Sequence, residues 1–187
     1  MNIGLVGHPA VGKDIVANFI VKNYGYSHVS TSDLIREYIT EHNLGIATRE
    51  HMREVANNLR AKHGGGYLVE LGLEKVNDKA IISGMRAVEE AAAFKKTGGV
   101  LLAVTAPLEL RYTWTRGRAR ATDNITFEVF KEHEEVEANS KDAGKQNVYA
   151  VMALADYTIS NDGTLEELYG KIEGIMKKLN ITHEQSL

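Results

Sequence analysis

The stretch Gly7-His8-Pro9-Ala10-Val11-Gly12-Lys13 limits what this chain can fold into more than any other. It follows the apolar run Ile3 to Val6 and precedes Ile15-Val16-Ala17-Asn18-Phe19-Ile20-Val21, which is amphipathic at helical spacing. Strand, glycine-bounded loop, lysine and helix, in that order, make a phosphate-binding loop. Two glycines let the backbone turn tightly, so that several N–H groups point inward as an anion nest. The positive end of the following helix dipole faces the same point. Lys13 adds a mobile charge able to follow β- and γ-phosphates. An ordinary strand-to-helix turn with a surface lysine would leave the spacing and both flanks unaccounted for.

The 187 residues are enough for one domain with a sizeable core. A formal net charge of −3 argues against a nucleic-acid partner. The sequence has no cysteine, so disulfides, thiol catalysis and Cys-based zinc sites are excluded. No apolar run approaches the length needed to span a bilayer, so no membrane partner is expected. The chain starts directly on a core strand, and the reading is a cytoplasmic protein without a leader, monomeric or homodimeric.

Along the chain, apolar runs and helical patterns alternate. Strands are expected at Ile3 to Val6, Tyr26 to Ser30, Ala80 to Ser83, Val100 to Val104 and Tyr157 to Ser160. Helices are expected over Asp14–Asn23, from Asp33 to about His42 capped by Thr31 or Ser32, and from Thr48 to the Gly64-Gly65-Gly66 break. Further helices are expected over Tyr67–Val76, Ala87–Lys96, Leu108 to about Thr115, Phe127–Asn139 and about Val148–Ala155, with a closing one capped by Thr164. The tail after Asn180 reads as frayed. This alternation implies a parallel sheet covered on both faces, with ligands bound outside the carboxyl ends of the strands. His8, Asp33, Arg86, Thr105 and Asn161 all follow strands and so can converge there.

Three further groups carry chemistry. In Ser32-Asp33-Leu34-Ile35-Arg36, Asp33 and Arg36 share a helix face and can hold a hydroxyl or base together with a phosphate. The bland alternative is a helix-start carboxylate and a solvated arginine. In Ile81-Ile82-Ser83-Gly84-Met85-Arg86, an arginine lies just past a strand end, either in the crevice or as a solubility charge. Arg116, Arg118 and Arg120 form a dense basic loop over about 116–124, with Arg111 one or two turns earlier. An arginine-bearing flap shields transferring phosphoryl oxygens from water; the alternative is an exposed loop.

Taken together, these features resemble the nucleoside monophosphate kinase group of P-loop kinases. Gly7-x-Pro9-x-x-Gly12-Lys13 resembles the adenylate kinase phosphate loop, and Ser32 to Arg36 is similar to its Gly-Asp-x-x-Arg acceptor motif. Ser83-Gly84-Met85-Arg86 resembles its Asp-Gly-x-Pro-Arg motif without the Asp and the Pro. Ala155 to Leu168 resembles the C-terminal signature of dephospho-CoA kinases and phage-type deoxynucleotide kinases. Over nearly the whole length the resemblance is to small archaeal adenylate-kinase-related, dephospho-CoA-kinase-like proteins. It implies an α/β P-loop NTPase fold of three layers, with about five parallel strands in one domain. It also implies an acceptor-binding helical region at about 31–79 and a short lid at about 116–124. ATP and Mg2+ are the implied cofactors, and a nucleotide the acceptor.

The site carried over is as follows. ATP is expected on Gly7, His8, Pro9, Ala10, Val11, Gly12, Lys13 and Asp14, with adenine between a lid arginine and the Asn161-Asp162-Gly163 turn. The acceptor is expected on Asp33, Arg36 and Arg86. Catalysis is expected from Lys13, Arg86, Arg116, Arg118 and Arg120. A GTPase would need an Asn-Lys-x-Asp motif, which does not occur. Shikimate-type kinases place a glycine triplet at a strand end, whereas Gly64-Gly65-Gly66 follows a polar helix and reads as a hinge.

One departure from the pattern bears on the metal. The position after the lysine, where many phosphate loops carry Ser or Thr, is Asp14; Ile15 follows, and Ser83 stands where the family carries a carboxylate. Asp14 is expected to anchor magnesium in their place. The alternative is a dipole-favoured capping residue. The altered anchors keep open a non-catalytic ATP/AMP sensor, beside dephospho-CoA as the other acceptor.

Overall fold

A computed structural model of the chain describes residues 1–76, 78–117, 125–138 and 147–183, without the side chains of residues 117, 133 and 136–138. The first apolar run is β1 (Ile3–Val6), and the helix after the glycine loop is α1 (Lys13–Tyr24), closed by Gly25 in the left-handed conformation. Then come β2 (Ser27–Ser30), α2 (Thr31–Glu41), α3 (Arg49–His63), α4 (Tyr67–Glu74), β3 (Ala80–Ser83), α5 (Val88–Lys96), β4 (Val100–Thr105) and α6 (Leu108–Gly117). The remaining elements are α7 (Phe127–Ala138), α8 (Val148–Met152), β5 (Tyr157–Ser160) and α9 (Leu165–Lys178).

The five strands are parallel, in the order β2-β3-β1-β4-β5. Near-continuous burial of β1, β3 and β4 is what a sheet covered on both faces requires. On one face α1 and α9 pack Val16, Ile20, Leu168 and Ile172 onto Ile3, Leu5, Leu102 and Ile159. On the other, α5 and α8 pack Phe94, Ala91 and Val151 onto Val6, Ile82 and Leu101. A third cluster, Ile35, Ile39, Val55, Ala56, Leu59 and Leu68, joins α2, α3 and α4 to one another. The α/β/α architecture of a P-loop NTPase is therefore the fold.

Three local expectations need correcting. Helix α2 is capped by Ser30, whose hydroxyl accepts from the Ser32 N–H, and not by Thr31 or Ser32. The α8 helix stops at Met152, three residues before the expected end. Past Asn180 the chain is tied down as far as His183, which stacks on Tyr24 with ring centroids 4.4 Å apart. Thr164 does cap α9, in a reciprocal box with Glu167.

Candidate active site

The phosphate loop leaves β1 at Val6 and enters α1 at Lys13 through backbone that curls back on itself. Gly7, Ala10 and Gly12 have φ of 146°, 61° and 89°. Gly12 is required twice over: its φ lies in the left-handed region, and a Cβ there would sit 2.5 Å from the Asn161 amide nitrogen. Helix α1 has no side-chain cap, so no capping side chain stands between its N-terminus and a ligand. The Lys13 ammonium folds over the loop and donates to the carbonyls of Gly7 and His8, both at 2.8 Å. Asn161, at the end of β5, is 5% exposed and donates from Nδ2 to the Val11 carbonyl at 3.0 Å. Its amide therefore braces the loop from beneath. Gly163 stands two residues on, beside the exposed start of α9.

The residues expected to take an acceptor follow the neighbouring strands β2 and β3. Asp33 and Arg36 pair on the exposed face of the first turns of α2. Gly84, at φ 87°, brings the end of β3 so close to α2 that a Cβ would lie 2.7 Å from the Thr31 hydroxyl. This close approach brings the turn after β3, which leads to Arg86, against the start of α2. The segment is held by a residue the sequence reading did not single out. Glu90, 0% exposed, accepts the N–H groups of Arg86 at 2.7 Å and of Ala87 at 3.1 Å. Its other oxygen pairs with Arg60 from α3 at 2.8 Å, and the Arg86 carbonyl accepts from the Asn147 N–H.

Between these groups and the phosphate loop, His28 on β2 meets the Ser83 hydroxyl at 2.8 Å. Burial lowers the His28 pKa from its ordinary value, against the opposing pull of Asp14 and Asp33. The Asp14 carboxylate is exposed in the first turn of α1. Among the described residues no group of three or more His, Asp or Glu side chains is arranged to hold a metal. One carboxylate and one hydroxyl beside a phosphate loop nevertheless fit magnesium, which keeps several waters and takes its other ligands from substrate phosphates.

Arg116 lies exposed in the last turn of α6; Arg118, Arg120 and most of the expected lid lie outside the described residues. Arg111 is not part of an exposed basic loop. It is 5% exposed, and its guanidinium lies 2.7 Å from Glu134 on α7. The same Glu134 oxygen lies 3.1 Å from Nδ1 of His8. The His8 ring also packs edge-on against Tyr149 of α8 at 4.4 Å, so its side chain is committed to α7 and α8 while its carbonyl holds Lys13. Burial would raise the Glu134 carboxyl, but His8 and Arg111 hold it below the usual carboxylate range. Helix α7, very polar on paper, buries Phe130 and Glu134.

A parallel 2-3-1-4-5 sheet with a glycine-bounded phosphate loop opening its first helix defines a P-loop NTPase fold. The fold matches solved kinases over nearly its whole length. Shikimate kinase from Bacteroides thetaiotaomicron superposes with a TM-score of 0.64 at 14% identity, covering 96% of this chain and 98% of that one. Shikimate kinase from Acinetobacter baumannii in complex with shikimate gives 0.61 at 16%, covering 96% and 92%. Residues 6–126 match the AAA domain family. A UPF0200 protein of Sulfurisphaera tokodaii is 33% identical over 183 residues, which is 95% of this chain and 96% of the relative. The chain belongs to the UPF0200 family. No described helix is long and apolar enough to cross a membrane.

Proposed function

We propose that this protein is an ATP-dependent phosphotransferase that moves the γ-phosphate of ATP onto a nucleoside or deoxynucleoside monophosphate. The observation that supports this reading is the close approach of Gly84, two residues before Arg86, to Thr31 at the start of α2, which bears Asp33 and Arg36, at the same sheet end as the phosphate loop. In this reading residues of about 31–79 take the acceptor, and the segment of about 116–124 closes over the phosphates. Lys13 leaves the Gly7 and His8 carbonyls to follow the phosphates. The charge developing on the transferring group is met by Lys13, by Arg86 and by arginines of the closing segment. Arg36 and Arg86 hold the acceptor phosphate, and Asp33 accepts from the acceptor nucleoside. Adenine rests against the Asn161-Asp162-Gly163 turn. Magnesium would be held here by Asp14 together with the substrate phosphates, and would supply neutralisation of the triphosphate's charge.

The test is ADP release from ATP and magnesium with a panel of common nucleoside and deoxynucleoside monophosphates plus dephospho-CoA. A single strong monophosphate acceptor supports this reading. Turnover with dephospho-CoA alone moves the acceptor to that class. ATP binding without turnover on any acceptor replaces the reading with a nucleotide sensor, which the engagement of Ser83 by His28 favours.

A further inference from the structure

Three charged or titratable side chains meet at the edge of the phosphate loop, each less than a tenth exposed. His8 Nδ1 and Arg111 Nη1 both face Glu134 Oε2, at 3.1 and 2.7 Å. Neither contact is aligned as a hydrogen bond, so all three atoms are buried with attraction but without a directed bond. Such atoms are rare in a settled core and call for an explanation, one of which is a role toward a ligand. The group is joined to the loop twice, because His8 is one of its residues and the His8 carbonyl accepts from Lys13.

We propose that Arg111 is a further phosphate-binding residue of this site, parked on Glu134 until a polyphosphate in the loop takes its place. This rests on the loop being a triphosphate site. A guanidinium presents parallel donors that suit phosphate oxygens better than one carboxylate oxygen met off-line. Phosphate in the loop draws Lys13 off the Gly7 and His8 carbonyls, which loosens His8 against Glu134. Glu134 is a positioning residue: it keeps Arg111 buried at the loop and sets how much the exchange costs. Phe130, whose ring lies 5.8 Å from the Arg111 guanidinium, keeps the arginine over α7 during the exchange.

The experiment is titration calorimetry with inorganic tripolyphosphate, which removes base and acceptor from the question. Wild type, Lys13→Ala, Arg111→Lys, Glu134→Gln and the Arg111→Lys/Glu134→Gln double variant are compared. Glu134→Gln frees the arginine and is expected to bind severalfold tighter than wild type. Arg111→Lys keeps the charge but not the fork, and is expected to bind about tenfold more weakly and to abolish the Glu134→Gln gain in the double variant. Trp114, the single tryptophan, lies on α6 three residues from Arg111, and its emission should shift on tripolyphosphate in wild type but not in Arg111→Lys. Equal affinities of wild type and Arg111→Lys overturn the proposal, as does a Glu134→Gln gain that persists with lysine at 111. Should Glu134→Gln not fold, the wild-type and Arg111→Lys pair decides alone. Equal binding by wild type and Lys13→Ala, or none by either, overturns the phosphate-loop reading itself and this proposal with it.

Discussion

Arg60 and Glu90 form an ion pair in which the carboxylate is wholly buried and the guanidinium side chain 9% exposed, joining α3 to the turn that carries Arg86. The Arg60 Nε donates to the same oxygen at 2.9 Å, and Nη1 donates to Asn57, so the arginine is fixed at three points. The backbone at Arg86 is thus held by a carboxylate whose partner arrives from 30 residues earlier.

Breaking one side of this pair leaves a buried charge without its partner. Arg60→Ala should therefore cost about 3–5 kcal/mol of stability. Equilibrium unfolding in urea measures it. A loss below 1 kcal/mol would mean that Glu90 is served well enough by the Arg86 and Ala87 N–H groups alone.

Arg36 and Arg86 should each raise the acceptor constant when replaced by alanine, with little effect on ATP affinity. Arg36→Lys should stay impaired, since a point charge does not replace a bidentate fork. Initial rates against acceptor and against ATP separate the two effects. Normal acceptor constants in both alanine variants would remove these residues from the acceptor site.

Asp14→Asn should raise the magnesium concentration needed for half-maximal turnover and leave metal-free nucleotide binding unweakened. A bare carboxylate beside a triphosphate repels it unless a cation lies between. An unchanged magnesium curve would make Asp14 a favourable first-turn charge and nothing more.

Among Arg116, Arg118 and Arg120, neutralising at least one should lower turnover far more than binding. Losses on the order of 10³-fold are the scale for an arginine on the transferring group. Rapid-quench single turnovers read the chemical step directly. Three near-neutral single variants would take this segment out of the mechanism.

Much of the fold was legible because its signals are local. The glycines, the lysine and the flanking apolar runs fix the phosphate loop within 20 residues of sequence, and Thr164 with Glu167 announces α9 by spacing alone. Where several local choices are equivalent, sequence does not select. Ser30, Thr31 and Ser32 all bear a hydroxyl fit to cap α2, and the path of β2 decides for Ser30. The supporting residues were hidden for a different reason. Glu90 and Glu134 were not singled out, because the arginines and the histidine that bury them come from other elements. His28 was silent as well, since its partner Ser83 becomes its neighbour only through the β2–β3 pairing. Arg111 could be grouped with the basic loop on spacing, but its burial depends on α7, where Phe130 stands four residues before Glu134.

The most direct measurement follows the label from γ-labelled ATP in wild type and Lys13→Ala, with magnesium and the nucleoside monophosphate panel. Lys13 is used most as the γ-phosphoryl group leaves, so its loss should nearly abolish transfer and also weaken triphosphate binding. The account predicts label on a nucleotide acceptor with wild type and almost none with Lys13→Ala. No transfer by wild type to any acceptor, or equal transfer by both proteins, would contradict it.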